Sequence, residues 1–266
     1  MAEIGEEVAN VLDFMYEDDL CKHKDEPENN GWQCRIGKKG SPGELSTPTA
    51  KQLYDAMVAA GLAMPDDPPK KGGHWDLDHC TPTQHPFQSH HLIPKAHLPK
   101  HDVCVFLAKK KKNQDWELTE STNYDTDDAR NGLALPFASN TYQWKKAKNA
   151  KEEDDVCNMM MFKTGKQLHQ GSHTYEDYGE EDDLHAKEQP GYLGAVDRLL
   201  EMVHGETMTH VMDCLDCKKS ASKPYKIRPL ERVVLAVYLV SVQMENIIRT
   251  RKRFVSDRAS KYVKPA

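Results

Sequence analysis

The sequence predicts an α+β protein, predominantly helical, with a small strand-containing centre. Three observations predict it. Four stretches carry apolar residues at helical spacing, the middle of the chain holds short apolar runs beside clustered histidines, and no internal repeat points to a solenoid or propeller. Size alone leaves the class open, since 266 residues can form one large domain or two small ones with a real core. The organisation read from the sequence is an N-terminal helical region over 1–68, a central region over 69–190 and C-terminal helices over 191–266 packing on it.

In chain order, Ile4, Val8, Val11, Leu12 and Met15 predict an amphipathic helix over Glu3–Leu20, and the Gly-, Pro- and Asn-rich text from Cys21 to Ser46 predicts loop. Leu53, Met57, Ala60 and Leu62 predict a second helix that stops near Met64, because Pro65 lacks the amide donor a helix interior needs. Between Gly72 and His101 stand His74, His79, His85, His90, His91, His97 and His101, more than half of the chain's 13 histidines. Asp102–Leu107 reads as a short strand, and the lysines from Lys109 to Lys112 with Asn123–Asp128 as an exposed excursion. Tyr192–Cys214 and Leu230–Phe254 read as helices, the second entered through Arg228-Pro229.

Composition excludes several classes. No apolar stretch reaches the roughly 18–20 residues of a membrane span; the longest, Val233–Val242, is bounded by Glu231, Arg232 and Glu245. The first residues are acidic where a secretory signal carries positive charge, so export would need another route. The net charge of −6 argues against a uniformly basic face, but Lys109–Lys112, Lys145, Lys146, Lys148 and Arg249–Arg253 are local clusters able to line a phosphate track. Seven cysteines form no even disulfide framework. Cys214-Leu-Asp-Cys217 is half of a structural zinc site by spacing, which Cys80 or another distant ligand could complete, and buried or free thiols are the alternative.

Three motifs carry chemistry. His169-Gln-Gly-Ser-His173 would place two imidazoles on one face if helical, close enough to share a metal, although Gly171 and Ser172 are poor helix formers. Ser89-His90-His91-Leu92-Ile93-Pro94 puts adjacent histidines at the start of a strand-like run, where neighbours point to opposite sides. One ring could then meet a metal and the other a substrate water, and a neutral histidine suits general-base work near pH 7. Asn131-Gly-Leu-Ala-Leu-Pro136 sets an amide at a turn before an apolar run, where it could fix a backbone carbonyl or a histidine ring. Taken singly, these are also readable as surface histidines, packed histidines or an ordinary turn.

Together and in this order the motifs resemble the AHH and GHH nuclease domains of the HNH/endonuclease-VII superfamily, over about Gln88–Tyr178, with Ser89 at the position of the small residue. The gaps between motifs are longer than usual, through the inserts Lys109–Asp128 and Lys145–Asp155. The resemblance implies a ββα-metal, treble-clef-like HNH core embedded in a helical domain, with the histidine pair on a hairpin and the metal pair on a helix. It implies that His90, His169 and His173 hold a divalent cation (Mg²⁺, Mn²⁺, Ni²⁺ or Zn²⁺), that His91 deprotonates the attacking water and that Asn131 holds the loop or orients His91. Lys95, Lys145 and Lys146 are candidates for phosphate contact. The substrate implied is nucleic acid, DNA before RNA. The setting implied is an antibacterial toxin made in a bacterial cytoplasm, restrained there by an immunity protein, and delivered without a classical signal by a contact-dependent or type VI machine to act in the target-cell cytoplasm. The competing reading is a zinc-stabilised binding module that cuts no bond.

Overall fold

The computed structural model describes residues 50–62, 74–108, 116–118, 121–171, 191–216, 225–227, 230–250 and 254–261. The expected helix over Glu3–Leu20, the loop after it and the lysine run at 109–112 lie outside the described residues. The described chain forms two units, each built from separated stretches: a hairpin unit of Thr49–Leu92, Gly132–Ala195 and Met244–Ala266, and a helical unit that includes Ile93–Asn131 and Val196–Gln243.

The hairpin unit is organised around an antiparallel strand pair, β1 (Phe87–His91) and β3 (Gly132–Pro136), in the register His90 opposite Leu133 and His91 opposite Gly132. Helix α1 (Ala50–Ala59) packs Leu53 and Met57, both fully buried, onto this pair. Gly132 is where they meet: a Cβ there would lie 2.5 Å from Met57 Sδ and 3.0 Å from Leu53 Cδ1, so only glycine permits the approach. After β3 the chain forms the short helix α2 (Tyr142–Lys146), capped by Thr141, and then α3 (Ala150–Thr164).

α3 begins with reciprocal capping: Asn149 Oδ1 accepts from the Glu152 amide at 3.0 Å, and Glu152 accepts from the Lys148 amide at 2.8 Å. Glu152 and Glu153 also face the positive end of the helix dipole. Val156, Cys157, Met160, Met161 and Thr164 form its buried stripe at helical spacing. Gly165, at φ +67°, ends it in the left-handed conformation and donates its amide to Met161 O at 2.9 Å. The density of acid around Asp154 reads in sequence as an exposed insert, yet these residues form the outer face of a packed helix.

In the helical unit, Asp102–Phe106 is a 3₁₀ helix and not the expected strand. The His101 ring accepts from the Val103 amide at 3.2 Å, capping the turn, and Val103, Cys104 and Phe106 are buried from it. A six-residue apolar run has no periodicity that separates these two outcomes. Here β2 (Trp116–Leu118) pairs in parallel with β4 (Tyr225–Ile227). Helices α4 (Tyr192–Asp216) and α5 (Glu231–Arg249) match the two helices read from the sequence to within a few residues, and each contributes to both units. A last turn, α6 (Asp257–Ser260), returns to the hairpin unit, where Arg258 bonds Glu153 of α3 at 2.8 Å. Among the described residues no helix is long and apolar enough to cross a membrane.

Candidate active site

β1 presents its two histidines differently because neighbouring strand residues face opposite sides. His90 is buried, 4% exposed, and His91 is half-buried. The His90 ring meets His169 edge to face with centroids 4.9 Å apart. On another side, its Nε2 lies 2.9 Å from the hydroxyl of Tyr192, the first residue of α4 and fully buried. That hydroxyl also stands 2.6 Å from Leu92 O and 3.3 Å from His91 O, so one phenol touches the backbone immediately after β1 and a ring on it.

His169 is held by its neighbours in the chain. Its own amide donates to Pro136 O at 2.8 Å, continuing from the end of β3. The Gln167 side chain donates to Ile248 O at 2.9 Å and accepts from the Val255 amide at 3.0 Å; it is buried, so both ends of its amide are matched where water cannot substitute. Gln170 donates to Ser139 Oγ at 2.8 Å. The segment is therefore pinned and not helical: α3 has already ended at Thr164. The helical spacing expected for His169 and His173 does not apply at His169, and His173 lies outside the described residues.

Asn131 belongs to the helical unit and is fully buried. Its Oδ1 accepts from the Ile93 amide at 2.8 Å and from Ser241 Oγ at 2.9 Å. Its Nδ2 donates to Ile93 O at 3.1 Å and Thr126 O at 2.9 Å. Those four bonds match the two lone pairs and two protons of a carboxamide. Asn131 thereby clamps Ile93, three residues beyond His90 in the chain, and its side chain acts on backbone.

The other expected residues disperse. Cys217 lies outside the described residues, as does the side chain of Cys214, while Cys80 is a buried free thiol whose pKa burial pushes up to about 11. Lys145 and Lys146 are exposed at the end of α2, with Lys146 Nζ 5.4 Å from the Tyr142 ring, and Lys95 is half-buried in the helical unit. His85 is buried, and desolvation followed by repulsion from Lys166 lowers its pKa to about 4, against a weaker opposing pull from the Thr81 backbone. Tyr192 carries no sequence signal of its function; as one tyrosine at the start of an apolar helix it is legible only once folding sets it beside His90.

Two imidazoles meeting at this distance are borderline nitrogen donors of the kind divalent transition metals take. Among the described residues no third His, Cys, Asp or Glu joins them in a set of three. His173, the expected third ligand, lies outside the described residues.

Residues 77–181 match a family model described as AHH, a nuclease family of the HNH/ENDO VII superfamily with conserved AHH. The match contains His90, His91, Asn131, His169 and His173, and it ends before Tyr192. No curated protein and no solved structure matches the chain.

Proposed function

From the match of residues 77–181 to an AHH nuclease family model of the HNH/ENDO VII superfamily, we propose that this chain is a metal-dependent endonuclease hydrolysing phosphodiester bonds, in DNA before RNA. One observation carries the reading: within the matched segment, residues 79 positions apart bring the His90 and His169 rings together at 4.9 Å, and His91 follows His90 in β1. Antiparallel β1 and β3 followed by α3 support reading the hairpin unit as a ββα core, with the difference that His169 stands past the helix and not on it.

In this reading His90, His169 and His173 hold the cation, and His91 is the general base. A bound divalent metal would supply electrostatic stabilisation to the phosphate and the leaving oxygen. His91 takes the proton of the attacking water, the water oxygen bonds phosphorus, and the bond to the leaving sugar oxygen breaks. Asn131 is a positioning residue, acting through the backbone of Ile93. Lys95, Lys145 and Lys146 would contact phosphates. The family resemblance extends the proposal to an antibacterial effector with a cognate immunity protein, delivered to rival cells.

The decisive experiment incubates the purified chain with supercoiled plasmid or RNA in Mg²⁺, Mn²⁺, Ni²⁺ or Zn²⁺. Nicking and linearisation abolished by a chelator are expected; DNA and RNA left intact in all four metals would overturn the enzyme reading in favour of a binding module. For the effector role, expression should be toxic to a bacterial host and the toxicity should vanish in His91→Ala.

A further inference from the structure

The hydrogen-bond geometry around Tyr192 constrains where the proton on His90 sits. A phenol has one proton to donate, and two of its three polar neighbours, Leu92 O at 2.6 Å and His91 O at 3.3 Å, are carbonyls that can only accept. If the third neighbour, His90 Nε2 at 2.9 Å, took the phenol proton, the hydroxyl oxygen would oppose the Leu92 carbonyl oxygen at 2.6 Å with no hydrogen between them. Where nothing is exposed to water, that arrangement is strongly disfavoured. The phenol therefore donates to Leu92 and accepts from His90.

We propose that Tyr192 is a positioning residue that fixes His90 as the Nε2–H tautomer and makes Nδ1 its lone-pair nitrogen. The consequence for the site described above, on whose nuclease reading the functional half of this proposal rests, is that His90 offers a defined donor atom in a defined ring orientation before any cation arrives. Tyr192 lies outside the segment matched to the family, so the nuclease site of this chain extends into α4.

The test is a long-range proton–nitrogen correlation spectrum of the full, metal-free chain labelled with [¹⁵N]histidine, the His90 signals being identified by their loss in His90→Gln. Wild type is expected to show a protonated Nε2 and an unprotonated Nδ1 at His90, and Tyr192→Phe is expected to mix the two tautomers. A protonated Nδ1 in wild type would overturn the proposal, as would a tautomer unchanged in Tyr192→Phe. If the variant does not fold, wild type still decides: a His90 Nε2 proton with a nuclear Overhauser contact to the Tyr192 ring sustains the proposal, and its absence ends it. Cleavage by Tyr192→Phe should fall by about 10–100-fold. A wild type that cuts nothing but shows the Nε2–H tautomer would sink the nuclease reading and leave the tautomer assignment standing. One that cuts but carries Nδ1–H would do the reverse.

Discussion

Two buried polar centres, Asn131 in the helical unit and His90 in the hairpin unit, differ in what they touch. Asn131 engages three backbone groups and one serine hydroxyl, none of which titrates in the physiological range. His90 meets a second imidazole and a phenol. A buried amide with every donor and acceptor matched to backbone and one hydroxyl is a fastening; a buried imidazole beside a second imidazole and a phenol has the partners that the proposed reaction would use. Inside the matched nuclease segment, then, the partners of a residue separate architecture from reaction better than its burial does.

The comparison breaks if the two centres respond alike to substitution. His91→Ala should lower plasmid cleavage by about 10²–10⁴-fold with a melting temperature that falls far less, since only part of the ring is buried; a comparable loss of stability, seen by thermal denaturation, would make His91 structural. Asn131→Ala should do the opposite, lowering stability by about 3 kcal/mol in urea titration because Ile93, Thr126 and Ser241 lose partners in a dry interior. If cleavage per folded molecule then fell as far as in His91→Ala, Asn131 would touch the reaction directly.

His85 sharpens the contrast on the structural side of the hairpin unit. Its folded pKa, about 4, lies below the unfolded value of about 6.5, so its neutral form is favoured by folding. Its contribution is complete above pH 6.5 and is lost as pH falls towards 4, reaching a loss of about 2 kcal/mol at pH 5. His85→Leu should accordingly flatten the fall in melting temperature between pH 7 and pH 5; an unaltered slope would show that His85 is hydrated. The smallest effect expected is Gly165→Ala, about 1 kcal/mol from the left-handed backbone alone, since a Cβ there meets no atom within 4 Å. A loss several times larger in chemical denaturation would mean that the end of α3 is more crowded than its geometry indicates.

The histidines were legible in sequence because they carry their chemistry in their identity, and their order along the chain selected the family that the comparison returned. The helices with long apolar stripes were legible too, since Tyr192–Asp216 and Glu231–Arg249 repeat their pattern over several turns. α3 was hidden because five consecutive charged residues at its start, Lys151–Asp155, mask a stripe that begins only at Val156. For His169–His173 the spacing is a chelate only if the stretch is helical; His169 stands outside a helix, beyond the end of α3 at Gly165, and His173 lies outside the described residues. Tyr192 and Ser241 were beyond reach: their partners lie about a hundred residues away, and neither residue type signals such a pairing.

The double clasp of Gln167 on Ile248 and Val255 has a practical side. It means that, within the stretch matched to the nuclease family, the neighbourhood of the imidazole at 169 is steadied by polypeptide some eighty residues downstream. A version trimmed to the recognisable stretch, or cut back before Val255, would keep every expected metal ligand and still lose the anchor that aims one of them.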